Sequence, residues 1–319
     1  MYARTKLRES DDQLANDKPA TTATAYNQAG DDYLQYADGG SASLYAFDSL
    51  YAYADRQVWD RIEQYLVDRW VAGARSINIL DAGCGPGTWL RRLVSRAHDL
   101  GFEIITARGF DIAEAQVRRA RLLSRDLAAL SGVTMTFDVG SLDEPLPEHD
   151  ATVDLCLCLY GVLNHLPVAK LPGILSEFSR VTSGCFVGTV RTAGSRPTIF
   201  VDALEHARDF KQDNDQDRCE VEMVNGRHIA FDCHLFTADE LRQLAAEHFD
   251  IEEFRGLDLF CSRFAPDPRW NPPSQRIEGP LAKELARLEE AYAADPDFMD
   301  RAAHLLIVCR PWGYGNIPS

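Results

Sequence analysis

The stretch ILDAGCGPGTWLRRL, from Ile79 to Leu93, constrains the fold more than any other part of this 319-residue chain. Ile79, Leu80 and Asp81 read as the end of a buried parallel strand, because such strands carry unbroken apolar runs rather than alternation. Gly83, Gly85 and Gly87 follow at every second position, where a missing side chain lets the backbone turn sharply and approach a ligand. Thr88 then opens a helix with Trp89, Leu90, Leu93 and Val94 on one side. Strand, glycine turn and helix in that order build a nucleotide pocket at the strand's carboxyl end. The spacing excludes a phosphate-cradling P-loop, since Gly87 is followed by Thr88 and Trp89 and not by lysine. It also departs from the G-x-G-x-x-G of dinucleotide folds, because the third glycine comes two residues after the second.

A second strand is expected from Ile104 to Asp111, again ending in an acid. A carboxylate at that point can accept both hydroxyls of a ribose, with Ile112 beside it. Its competing role is to cap the helix that follows. Val133 to Val139 reads as a third strand leading into Gly140, Ser141 and Leu142, and Val153 to Leu159 as a central apolar fourth. Tyr160, Asn164 and His165 follow the fourth strand directly, where open parallel sheets place their ligands, and with Arg191 they are the candidate catalytic residues. His165 is the candidate base, because imidazole titrates near neutral pH. Arg191 leaves the end of a fifth strand, where a guanidinium can hold a carboxylate.

The D-x-G-x-G-x-G form of Asp81 to Gly87, with Asp111 and the order of elements, resembles class I S-adenosylmethionine-dependent methyltransferases of the small-molecule type. The resemblance implies a Rossmann-like, doubly wound α/β fold with a seven-stranded sheet whose last strand is antiparallel. It implies S-adenosylmethionine in the cleft, held by Asp81, Gly83, Gly85, Gly87, Asp111, Ile112, Ser141, Leu142 and Leu159. The family's loop after the third strand usually offers an acid to the adenine; Ser141 stands there, with Asp143 two residues on. A tyrosine-bearing first helix often folds over the cofactor in such enzymes, which makes Tyr26 or Tyr33 the candidate lid. The N/D-P-P-Y/F tetrad of nucleic-acid and amino-group methylases is absent, Leu159-Tyr160-Gly161-Val162 standing in its place.

Five segments are expected: a flexible tail over 1–24, a helical lid over 25–72, a cofactor-binding core over 73–192, a substrate cap over 193–236 and the rest of the core over 237–319. The cap reads as a helix in TIFVDALEHARDF, a charged loop, and a hairpin turning at Asn225-Gly226, the strongest short-range hairpin signal. Thr237 and Glu240 have the spacing of a capping box, opening a helix to Phe249.

A net charge of -16 argues against nucleic acid as a partner. Arg118, Arg119, Arg121 and Arg125 read as a solvated helix face. Eight cysteines without a C-x-x-C pair or zinc-ligand spacing point to a reduced, cytoplasmic chain without a metal. No window approaches a membrane span, and a homodimer is compatible with the composition. The expected activity is methyl transfer to a small-molecule acceptor. A cyclase or lyase acting on the cofactor itself, or a non-catalytic S-adenosylmethionine-binding module, would show the same pocket motifs.

Overall fold

Seven buried or half-buried apolar runs find each other in one sheet, ordered β3-β2-β1-β4-β5-β10-β9 in a computed structural model. The structure describes residues 22–29, 43–47, 51–195, 207–223, 226, 228–261 and 280–312. Along the chain these form α1 (Thr22–Ala29), α2 (Ala52–Val71), β1 (Ser76–Ala82), α3 (Thr88–Leu100), β2 (Ile104–Asp111), α4 (Glu114–Leu123), α5 (Arg125–Ala128), β3 (Val133–Val139) and β4 (Val153–Cys158). There follow α6 (Leu171–Val181), β5 (Thr182–Arg191), β6 (Ala207–Asp213), β7 (Arg218–Met223), β8 (His228–Asp232), α7 (Ala238–Ala246), β9 (Phe249–Leu257), α8 (Pro280–Tyr292), α9 (Pro296–Met299) and β10 (His304–Pro311).

Strands β1 to β5 pair in parallel, and β10 pairs antiparallel with both β5 and β9. The last strand is therefore antiparallel, as the resemblance implied. The chain winds outward from β1 to β3 and then returns to place β4 on the other side of β1. That reversal opens a crevice at the carboxyl ends of β1 and β4. Helices α2 and α3 cover one face of the sheet with Ile62, Leu66, Leu90 and Leu93, all fully buried. On the other face Phe178 of α6, Phe186 of β5 and Phe249 of β9 stack in series with ring centroids 5.2 Å apart at both steps.

A separate three-stranded antiparallel sheet, β6-β7-β8, rises between β5 and α7. Its two ends close on each other. The Ala193 amide donates to the Phe236 carbonyl at 3.0 Å and the Phe236 amide to the Arg191 carbonyl at 3.1 Å. The hairpin around Asn225-Gly226 is present as β7 and β8. The helix expected in TIFVDALEHARDF is not there at its carboxyl end, because Ala207 to Asp213 is strand β6. A single Phe among charged residues gives this strand no alternation to read, and its partner β7 supplies the order. Residues 196–206 lie outside the described residues.

Two further boundaries move. The tail expected over 1–24 gives way to α1 at Thr22. The helix expected to reach Phe249 stops at Ala246, since Phe249 begins β9 and packs in the phenylalanine stack. Thr237 does cap α7, accepting from the Glu240 amide at 3.2 Å, but the Glu240 carboxylate turns to His234. All eight cysteines are free thiols. No helix among the described residues is long and apolar enough to cross a membrane.

Candidate functional site

The glycine turn is held by the end of β2. The amides of Gly83 and Cys84 both donate to the Phe110 carbonyl, at 2.8 and 2.9 Å, and the Gly85 amide donates to Asp111 Oδ2 at 2.9 Å. Gly83 has φ +74°, and a Cβ on it would meet Val162 Cγ2 at 2.3 Å, so glycine is required twice over. Gly87, also left-handed, leads into α3 with Phe137 packed over it.

Above this turn lies a cavity of about 520 Å³ at the switch between β1 and β4. Gly83, Phe110, Asp111, Ile112, Gly140, Ser141, Leu142 and Asp143 line it from the ends of β1, β2 and β3. Leu159, Tyr160, Val162 and His165 line it from the segment after β4. Thr22, Ala23 and Tyr26 of α1, with Ala230, Phe231 and Asp232 of β8 and Arg218 of β7, complete the wall. The volume falls within the range typical of small-molecule sites.

Asp111 sits at the centre of this lining. Its Oδ1 accepts from the Ala113 amide at 2.8 Å and its Oδ2 from the Gly85 amide, which leaves each oxygen a further lone pair for a ligand. Burial pushes its carboxyl above the usual range, and the two amides pull it back. Capping and ligand binding are thus compatible in one side chain.

His165 has a defined tautomer. Its Nδ1 lies 2.9 Å from the Asp232 backbone carbonyl, which only accepts, so Nδ1 carries the proton. Its Nε2, 2.9 Å from Tyr26 Oη, then accepts from the phenol. Burial, reinforced by the Arg191 charge, lowers the imidazole to about 4, so it is neutral at physiological pH. Tyr26 thereby joins α1 to the segment after β4. Helix α1 is also tied to α4, where the Ala115 amide donates to Asn27 Oδ1 at 2.9 Å.

Other expected site residues take different positions. Asn164 is fully buried and does not line the cavity. Its Nδ2 donates to the carbonyls of Arg191 and His234, and its Oδ1 accepts the Arg191 amide at 2.9 Å, which rivets the base of the small sheet to the core. Its hydrogen-bonding groups are committed to backbone, so the expectation of a catalytic amide is corrected. Tyr160 lines the cavity, but its phenol donates to the buried Asp55 of α2, and burial followed by that carboxylate raises it well above the ordinary value. A phenol so held is a poor base. Arg191, Gly85, Gly87 and Asp81 do not line the cavity, and Gly85 has spent its amide on Asp111. Tyr33 lies outside the described residues.

The sequence reading missed Val162, Phe231, Asp232 and Asp55. The first three become site residues only when a loop and a hairpin meet the switch point, and no local pattern announces that. Asp55 had a weak signal, as an acid among the apolar positions of α2, where it is buried.

A methyltransferase-domain family model matches residues 79–184, which span β1 to the start of β5 and carry Asp81, Asp111 and His165. Residues 79–184 thus match a methyltransferase domain, and the fold is that of class I methyltransferases. Methyltransferases of this class take the methyl group from S-adenosylmethionine. Among solved structures, the chain is similar to magnesium protoporphyrin IX methyltransferase of Synechocystis with bound S-adenosylmethionine. That likeness has TM-score 0.51 at 14% identity, over 90% of this chain and 94% of the other. The same protein with bound S-adenosylhomocysteine gives TM-score 0.50 at 14% identity, over 90% and 97%. A Pyrococcus horikoshii protein matches with TM-score 0.48 at 18% identity, over 87% and 95%. The likeness to the Synechocystis protein speaks for the fold alone. No curated protein matches the chain.

Proposed function

We propose that this methyltransferase moves the methyl group of S-adenosylmethionine to a small-molecule acceptor by in-line displacement, in a cleft roofed by α1 and the small sheet. The observation that carries this reading is Asp111, a half-buried carboxylate on the cavity wall with an unused lone pair on each oxygen. The residues fit the cofactor in a second respect. Gly83 on the cavity wall has a left-handed backbone and no side chain, so the turn can approach a ligand.

In this reading Asp111 holds the ribose, Ile112, Ser141, Leu142 and Leu159 flank the adenosine, and Gly83 lets the backbone come close. When bound, the cofactor supplies an activated methyl group. The protein's part is to align the acceptor and exclude water. Tyr26 closes the roof and occupies His165 Nε2. An acceptor hydroxyl or amine that displaces the Tyr26 phenol from Nε2 would give its proton to His165. The segment 193–236 would act as the acceptor cap, since β7 and β8 contribute Arg218, Phe231 and Asp232 to the wall. The net charge of -16 supports a small acceptor rather than a polyanion.

The test is binding of S-adenosylhomocysteine followed by turnover. Asp111→Ala should weaken binding by about 1.5–3 kcal/mol, the loss of a charge-assisted hydrogen bond. Unchanged affinity in a folded variant removes Asp111 from the ribose role. Incubation of S-adenosylmethionine with a panel of small acceptors should give S-adenosylhomocysteine only when acceptor is present. Methylthioadenosine formed without acceptor would replace methyl transfer with cleavage of the cofactor.

A further inference from the structure

The small sheet brings two opposite charges to the cavity wall, Arg218 of β7 and Asp232 at the end of β8. They are register partners, so their Cα atoms lie about 4.5–5.5 Å apart and their side chains share one face of the sheet. Among the described residues no ion pair joins them, and Arg218 turns its Nε to Glu220 Oε1 at 3.1 Å instead. That bond fixes the guanidinium and leaves its two terminal nitrogens, the edge that matches a carboxylate in a fork of parallel hydrogen bonds. Asp232 spends its backbone carbonyl on His165 Nδ1, and among the described residues its carboxylate has no hydrogen-bond or ion-pair partner. Other acids nearby are committed. Asp143 pairs with Lys170 at 2.8 Å, and Asp213, the partner of Arg218 on β6, accepts from the amides of Asp215 and Gln216, both at 3.0 Å. The rest of this wall is apolar, with Val162, Leu166, Pro167 and Phe231.

We propose that Arg218 and Asp232 form a subsite for the headgroup of an amino-acid acceptor, the guanidinium taking its carboxylate and the Asp232 carboxylate its ammonium. The inference rests on the methyl-transfer reading of the cavity. Charge balance favours this ligand over a simple acid or a simple amine. Arg218, Glu220 and Asp232 together carry one net negative charge, which a lone carboxylate would raise and a zwitterion leaves unchanged. A simple amine would leave the guanidinium edge empty. The apolar wall beside the two charges suits an apolar or aromatic side chain on the acceptor. The amino-acid end of the cofactor has the same chemistry and is the competing occupant. The acceptor is favoured because the cofactor's proposed contacts, Gly83 and Asp111, come from β1 and β2, whereas Arg218 and Asp232 come from a separate sheet outside residues 79–184. Because His165 is bonded to Asp232, this subsite seats the acceptor beside the imidazole proposed to take its proton.

The experiment is calorimetric titration of the full chain, first with S-adenosylhomocysteine and then, at saturation, with L-phenylalanine, L-tyrosine and L-leucine. Each amino acid is set against its carboxamide, which lacks the anion, and its des-amino acid, which lacks the cation. At least one amino acid should bind about 10-fold or more tighter than both of its analogues, each of which forfeits a charge-assisted hydrogen bond. Arg218→Gln should abolish the preference over the carboxamide, and Asp232→Asn the preference over the des-amino acid. Both variants should keep the wild-type affinity for S-adenosylhomocysteine. Arg218→Lys, which keeps the charge and loses the fork, should recover part of the first preference. Amino acids that bind the wild type no better than their analogues overturn the proposal, and that comparison needs no variant. So does a loss of S-adenosylhomocysteine affinity in either variant with a cooperative thermal transition, which would assign the subsite to the cofactor. If S-adenosylhomocysteine does not bind the wild type, the methyl-transfer reading itself falls, and the proposal with it.

Discussion

Gly83→Ala tests whether the turn after β1 has the conformation on which the site depends. An alanine there must adopt φ +74°, which costs about 1–2 kcal/mol for an L-residue. Its Cβ must also displace Val162, whose Cγ2 and Cγ1 would lie 2.3 and 2.8 Å away. Val162 is β-branched and has few rotamers with which to retreat, so overpacking adds about 1–3 kcal/mol. The single variant should lose about 2–5 kcal/mol in urea denaturation at pH 7. The two contributions are separable by Val162→Ala, which removes the obstructing methyls and leaves the backbone strain. By itself Val162→Ala should cost about 1–2 kcal/mol, because the side chain is only half-buried. The double variant should then be about 1–3 kcal/mol less destabilised than the sum of the singles, a coupling characteristic of residues in contact. Additivity within about 0.5 kcal/mol, or a neutral Gly83→Ala, would refute the left-handed turn against Val162.

Asn164→Ala should cost about 2–4 kcal/mol and speed hydrogen exchange near His234, because it strands buried backbone groups of Arg191 and His234. His165 should titrate near 4 by nitrogen NMR, with the proton on Nδ1 between pH 5 and 8. Its native value lies below the unfolded 6.5, so its stabilising contribution is full above pH 6.5 and is lost as pH falls through about 4. Tyr26→Phe should weaken stability by about 0.5–1.5 kcal/mol and raise that titration, since the phenol favours the neutral ring. Asp81 has the opposite sign. Its native value of about 7 exceeds the ordinary 3.8, so stability is full below about pH 3.8 and declines as pH rises through 7. Asp81→Asn should therefore exceed the wild type in apo stability at pH 8, by up to about 4 kcal/mol, and match it near pH 4. Equal stability at pH 8 would place Asp81 in an ordinary, solvated environment.

The fold was legible where one residue type has one physical use. Ile79 to Asp81 and Ile104 to Asp111 are apolar runs closed by an acid, and both acids stand where parallel strands deliver their ligands. Asn225-Gly226 marked a hairpin because the turn demands those residues. Strand β6 escaped notice because Arg208, Asp209, Lys211 and Gln212 have no apolar partners in sequence, and its order comes from β7. Asp111 and His165, named from their places at strand ends, both reach the cavity wall. Asn164 and Tyr160 are equally suited to catalysis by type and position, yet their hydrogen bonds go to groups of the fold. Their partners, Arg191, His234 and Asp55, lie 27 to 105 residues away in the chain. Nothing short of the assembled fold shows that those groups are already committed.

A crystal structure with S-adenosylhomocysteine tests most directly whether the cavity above Asp111 receives S-adenosylmethionine. The ribose hydroxyls should lie on the Asp111 carboxylate, with the adenine between Ile112 and Leu142 and Tyr26 closing over the ligand. Ligand density elsewhere, or an Asp111 carboxylate bonded only to the amides of Gly85 and Ala113 at saturating ligand, would rule that placement out.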